Sequence, residues 1–118
     1  MKPARLRPQA KHDRQAEVRY YRNQAGTPVA ETFVLATEHA LDLLERNPGM
    51  GSSLLGALLG IPTLRTWRVT GFPLLWLYVE REDHLDVIRL LGEKQDVAGI
   101  LMRCGTPSAH EPMAGYLR

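Results

Sequence analysis

The stretch LRTWRVTGFPLLWLYVE, Leu64 to Glu80, decides how this chain folds. Leu64 to Thr70 reads as a strand, and Gly71, Phe72 and Pro73 make a bend. Leu74 to Glu80 is nearly all apolar, as a central strand buried on both faces should be. The polar tip Arg81-Glu82-Asp83 then closes a hairpin onto a further strand, Leu85 to Leu91. The second half of the chain therefore predicts three strands in antiparallel succession.

The first half reads differently. Ala4 to Pro8 alternates Leu6 with arginines, as a short strand that Pro8 ends. Gln9 to Gln24 holds neither Gly nor Pro, and Ala10, Val18 and Tyr21 share a stripe, which predicts a basic first helix. Gly26 suits the position after a helix, Thr27 can cap the next, and Pro28 fits its first turn. A second helix follows to about Arg46, with Phe33, Thr37, Ala40, Leu41 and Leu44 at spacings of three and four, and Asn47-Pro48-Gly49 ends it. So short a link implies a helical hairpin. Gly49 to Pro62 is rich in Gly and in leucine (Leu54, Leu55, Leu58, Leu59); it reads as a loop with one helical turn. Its leucines either pack on the domain edge or face a partner.

Beyond the strands, Asp96 can cap a short helix in which Val97, Ile100, Leu101 and Cys104 fall on one stripe, and Gly105 stops it. Residues 105–118 show no periodicity and are expected to form a tail that a partner would order. The predicted fold is α+β: an N-terminal strand, a helical hairpin packed on a small antiparallel sheet, and a short C-terminal helix, as one domain over residues 1–104.

A chain of 118 residues with 44% apolar and 24% charged residues suits one globular core. The lone Cys104 cannot form an internal disulfide and fits a reducing, cytoplasmic setting. No apolar run approaches the ~20 residues that span a membrane. Charge is distributed unevenly. Residues 1–24 carry seven of the fifteen Lys and Arg against only Asp13 and Glu17, a net +5; the remainder, with eight cations and eleven acids, is −3. Such a front half attracts an acidic partner, nucleic acid or acidic peptide, or is simply a solvated helix face.

Several enzyme signatures fail. Gly51-Ser52-Ser53 lacks the second glycine of a nucleophile elbow, and no Lys-Ser/Thr follows the glycines at Gly56 and Gly60 as a phosphate loop requires. Four scattered His and one Cys offer no metal-ligand spacing, so neither metal nor cofactor is expected. Trp67 and Trp76 read as core residues of apolar strands.

Four segments, in order, resemble the RelE/ParE toxin superfamily. Ala10-Lys11-His12-Asp13 with Glu17-Val18-Arg19-Tyr20-Tyr21 is similar to its opening helix. Phe33 through Ala40-Leu41-Asp42-Leu43-Leu44 to Asn47-Pro48-Gly49 is similar to its second helix and Asn-Pro stop. Leu64-Arg65 to Val69, then Gly71-Phe72-Pro73 on to Tyr78, is similar to its arginine strand and following strand. Leu85-Asp86-Val87-Ile88-Arg89-Leu90-Leu91 is similar to its last strand. Two departures stand out: Arg14 replaces a customary leucine, and Gly92-Glu93-Lys94-Gln95-Asp96 replaces His-Gly-x-Arg-Asp.

The resemblance implies a toxin silenced by a cognate antitoxin, as a hetero-oligomer. RelE-like members cut messenger RNA on the ribosome, whereas ParE-like members are implied to poison DNA gyrase. Cutting RNA beside a 2′-hydroxyl requires a base, an acid and cations for the phosphorane. The candidates are Arg65, Arg89, Lys94 and Tyr78. By alternation Arg65 groups with Trp67 and Val69, and Arg89 with Val87 and Leu91, while Arg68 points the other way. Arginine binds phosphate but is a poor proton shuttle, and His84 and His110 lie at a hairpin tip and in the tail. The ParE-like reading is therefore preferred over the ribonuclease. A third reading, a degenerate module that only binds antitoxin, also fits the departures. The arginines could instead pair with carboxylates or cap carbonyls at the sheet edge. Antitoxin contacts are expected among Val18, Tyr21 and Phe33 of the hairpin, Leu54, Leu55, Leu58 and Leu59 of the loop, and Val97, Ile100 and Leu101 of the last helix, with the basic first helix favouring an acidic antitoxin tail.

Overall fold

The structure is a computed structural model that describes residues 1–94 and 99–100. Its elements follow the expected order: β1 (Ala4–Leu6), α1 (Pro8–Ala25), α2 (Thr27–Arg46), a 3-10 turn at Pro48–Met50, α3 (Leu54–Leu59), β2 (Leu64–Arg68), β3 (Leu74–Glu80) and β4 (Leu85–Gly92). Gly99 and Ile100 are helical. The proposed Asp96 cap, Val97, Leu101, Cys104 and the tail lie outside the described residues.

The helical hairpin forms for local reasons. Pro8 takes the first turn of α1, where its missing N–H costs nothing. Gly26, at φ 94°, turns the chain between the helices, a backbone region that favours glycine. Gly26 itself holds the N-cap of α2, so Thr27 is the first helical residue and makes no side-chain cap. That corrects the capping role expected of Thr27; the junction is too tight for an extra residue. Phe33, Thr37, Ala40, Leu41 and Leu44 are all buried, as their spacing requires.

The four strands order as β1-β4-β3-β2. Pairings β2–β3 and β3–β4 are antiparallel as expected, but β1 joins β4 in parallel, Ala4 opposite Leu85 and Leu6 opposite Val87. The expectation of a wholly antiparallel sheet is thus corrected for its first strand. The reason lies in the connection to β2. The out-and-back helical hairpin returns the chain beside β1, where Glu45 accepts the Lys2 and Ala4 N–H groups, and the segment 47–63, with its 3-10 turn and α3, carries it on before β2 begins. β2 runs with β1, β3 against it, and β4 with it again.

Each sheet face has its own core. Trp76 and Tyr78 of β3 join Phe33, Leu44, Leu85, Val87 and Leu90 under the hairpin. Leu77 and Val79 of the same strand join Leu64 and Leu91 on the opposite face, which Leu55 and Leu59 of α3 and Ile100 partly cover. This double burial is why β3 is apolar almost throughout. Phe72 of the Gly71-Phe72-Pro73 bend sits 5.0 Å from Phe33 and 5.1 Å from Tyr21, locking the bend to the hairpin. Trp76 donates from Nε1 to the Thr37 carbonyl at 3.2 Å, a core tryptophan with its polar atom satisfied.

Asp86 ties β1, β4 and the β3–β4 tip. It accepts from Arg7 at 2.7 Å and from Arg81 at 3.0 Å. Hydrogen bonds from Arg7 first, then Arg81, hold its carboxyl at about 2, well below an ordinary aspartate. Its folded pKa is depressed, so the stabilisation is complete above the unfolded value of about 4 and is lost as pH falls through about 2. Urea titrations at stepped pH are expected to show the wild type weakening over that window, with Asp86→Asn less stable at neutral pH and flatter there.

Candidate functional site

The arginines sit on different parts of the sheet. Arg65 pairs with Tyr78 in register, on the hairpin face with Trp67 and Val69, and Arg68 points to the other face as alternation required. Arg65 donates from Nη1 to the Gly51 carbonyl at 2.7 Å and to the Gly49 carbonyl at 3.3 Å. Its guanidinium thus clamps the turn after α2. Tyr78 holds the same turn: its hydroxyl donates to Pro48 O at 2.7 Å and accepts from Gly51 N–H at 3.0 Å. A Cβ on residue 51 would strike that hydroxyl, which explains the glycine. Burial pushes the Tyr78 phenol above its ordinary range, so it neither donates nor takes a proton readily at neutral pH.

Arg89 is placed by a bulge. Tyr78 pairs with Val87 but Leu77 with Arg89, so Ile88 is the extra residue. Simple alternation fails here: Val87 packs under the hairpin, whereas Leu91 joins the opposite core. The expected grouping of Arg89 with both is corrected accordingly. Because β1 pairs only with Leu85–Val87, the edge of β4 beyond it is open to α1. There Arg89 donates from Nε and Nη2 to the two Asp13 oxygens at 2.8 and 3.0 Å, and Asp13 also accepts Leu90 N–H at 3.0 Å. Asp13 was the residue the sequence reading missed; its signal was being one of only two acids in a strongly basic segment.

Lys94 is exposed in the turn after β4, beside Glu93, which pairs with Arg68 at 3.0 Å. The four candidates therefore do not converge. Arg65 and Tyr78 meet at one turn, Arg89 meets α1, and Lys94 faces solvent. His84 lies at the hairpin tip against Asp83, at 2.7 Å. Among the described residues no group of three His, Cys, Asp or Glu could hold a metal, and no helix is long and apolar enough to cross a membrane.

A sequence model of the ParE toxin of type II toxin–antitoxin systems, ParDE, matches residues 4–97. The chain belongs to the ParE toxin family. Its fold is also similar to a solved chromosomal ParDE toxin–antitoxin system from P. aeruginosa, with a TM-score of 0.65 and 17% identity, covering 76% of this chain and 94% of that one. No curated protein sequence matches it. As a ParE toxin of a type II system, the protein has an antitoxin partner implied by its family.

The expected antitoxin contacts divide by accessibility. Phe33 is fully buried, so no partner reaches its ring while the hairpin is closed. Val18 and Tyr21 are half-buried against the same core, and Leu55, Leu59 and Ile100 pack on the other. Leu54 and Leu58 stand out at 66% and 74% exposure on α3. One side of the six-residue α3 thus packs on the domain, as one reading of the leucine loop expected, and the other faces outward. Ser52 already pairs with Thr66 at the outer edge of β2, and beside that bridge lies a groove lined by Met50, Ser52, Trp67, Arg68 and Leu75.

Tyr78→Phe removes the hydroxyl and orphans the buried Gly51 N–H. The ParE chain is expected to lose about 1–2 kcal/mol, read as a lower urea midpoint at unchanged slope.

Proposed function

We propose that this ParE-family toxin arrests growth by acting on DNA gyrase, without cutting nucleic acid itself, and that a cognate antitoxin neutralises it. One observation carries the proposal: the two arginines best suited to a phosphorane are engaged in holding the fold, Arg65 on the Gly49 and Gly51 carbonyls and Arg89 on Asp13. Tyr78 is likewise buried and bonded to the turn. Such groups serve packing, whereas general acid–base cleavage of RNA needs a proton-carrying side chain within reach of the 2′-hydroxyl. The antitoxin is proposed to lay apolar side chains on Leu54 and Leu58 and in the groove beside the Ser52–Thr66 bridge.

Induced expression without antitoxin is expected to stop growth and raise the DNA damage response while messenger RNA stays intact. The purified toxin is expected to inhibit supercoiling by gyrase in a defined assay, and added antitoxin to restore it. Rapid ribosome-dependent loss of message would establish the ribonuclease instead, and normal growth with folded toxin would leave a binding module.

A further inference from the structure

The outer face of α1 carries a line of cations. Lys11, Arg19 and Arg22 are exposed, with Gln15 between, at positions i, i+4, i+8 and i+11 of one helix. That spacing keeps them on one side over roughly 17 Å of axis. The two acids of residues 1–30 are withdrawn from this face. Asp13 is spent on Arg89 and Leu90, and Glu17 is buried. Of the four other cations of the segment, Lys2 is matched by Glu80 and Arg7 by Asp86, while Arg5 and Arg14 lie outside the line. Lys11, Arg19 and Arg22 make no ion pair among the described residues.

We infer that this face of α1 binds the phosphate backbone of nucleic acid, independently of sequence and of the gyrase interaction proposed above. Phosphate binding needs cations on a rigid support and no apolar anchor, and duplex DNA offers about ten charges over such a length. The flanking exposed residues are His12, Gln15, Asn23 and Gln24, donors to phosphate oxygens rather than an apolar groove. A peptide partner needs buried apolar anchors to bind well. Of the hairpin's three aromatic residues, Phe33 and Tyr21 are instead turned into the core and Tyr20 is half-buried against Tyr21, and the most exposed leucines of α2 and α3 (Leu35, Leu54, Leu58) lie off α1. An acidic peptide is therefore the less suited occupant. The rest of the chain is net negative, so the attraction belongs to this face rather than to overall charge.

The test uses the full chain and fluorescein-labelled duplex DNA, single-stranded RNA and a glutamate-rich peptide, followed by anisotropy across a salt series. Duplex DNA or RNA is expected to bind, the stronger of the two naming the source. The triple variant Lys11→Gln, Arg19→Gln, Arg22→Gln is expected to lose about tenfold or more in affinity, with a salt slope shallower by about 2 to 3. Arg19→Lys with Arg22→Lys should keep most of the binding, which separates lost charge from lost structure. Arg5→Gln, Arg46→Gln and Lys94→Gln together remove the same charge from exposed positions elsewhere and should matter less. The inference is overturned if neither nucleic acid binds, if both triple variants lose affinity alike, or if only the acidic peptide responds to the α1 substitutions.

Discussion

The Asp13 carboxylate is where the helices, the sheet and the chemistry of this toxin meet. It projects from the second turn of α1 to the open edge of β4, takes two hydrogen bonds from the Arg89 guanidinium and a third from Leu90 N–H. Both side chains are mostly removed from solvent, with 11% of Asp13 and 22% of Arg89 exposed. In that setting a bidentate arginine pair is directional as well as strong, so it fixes the rotation of α1 as well as its distance from the sheet. Rotation in turn decides which face of α1 looks inward. Ala10, Glu17 and Tyr21 are carried toward the core, and Lys11, Arg19 and Arg22 are left outside.

The same contact has a chemical consequence. The Asp13 carboxylate holds two of the five N–H donors of the Arg89 guanidinium, which fixes the direction in which the remaining donors point. Arg65 is committed in a parallel way to the turn after α2, together with Tyr78. The sheet therefore uses Arg65 and Arg89 to hold irregular segments in place. Arg65 and Tyr78 satisfy carbonyl and N–H groups of the turn after α2, and Asp13 the Leu90 N–H at the sheet edge, because such groups need partners.

Much of this was legible before any coordinates. The periodicity of Phe33 to Leu44 marked the buried stripe of α2, the unbroken apolar run Leu74–Val79 marked a strand with two cores, and Gly26-Thr27-Pro28 marked the hairpin junction. The parallel placement of β1 was not legible: an out-and-back helical hairpin alone suggests an antiparallel return, the reversal comes from the 47–63 connection, and a three-residue strand carries no pairing signal of its own. What period-two alternation could not supply was the bulge at Ile88. One extra residue moves Arg89 relative to Val87, and no residue type in Val87-Ile88-Arg89-Leu90 announces it. Asp13 escaped notice for a related reason: its partner lies 76 positions away and depends on β1 being too short to cover β4.

The most direct measurement is a double-mutant cycle on folding stability, comparing Asp13→Asn, Arg89→Gln and the pair by urea denaturation at neutral pH. A structural clamp predicts a coupling of about 2 kcal/mol, with the double variant little worse than either single one. Additive losses, within about 0.5 kcal/mol, would show that the two side chains act independently. Arg89 would then be released for another role, and the clamped seating of α1 on the sheet edge would fall.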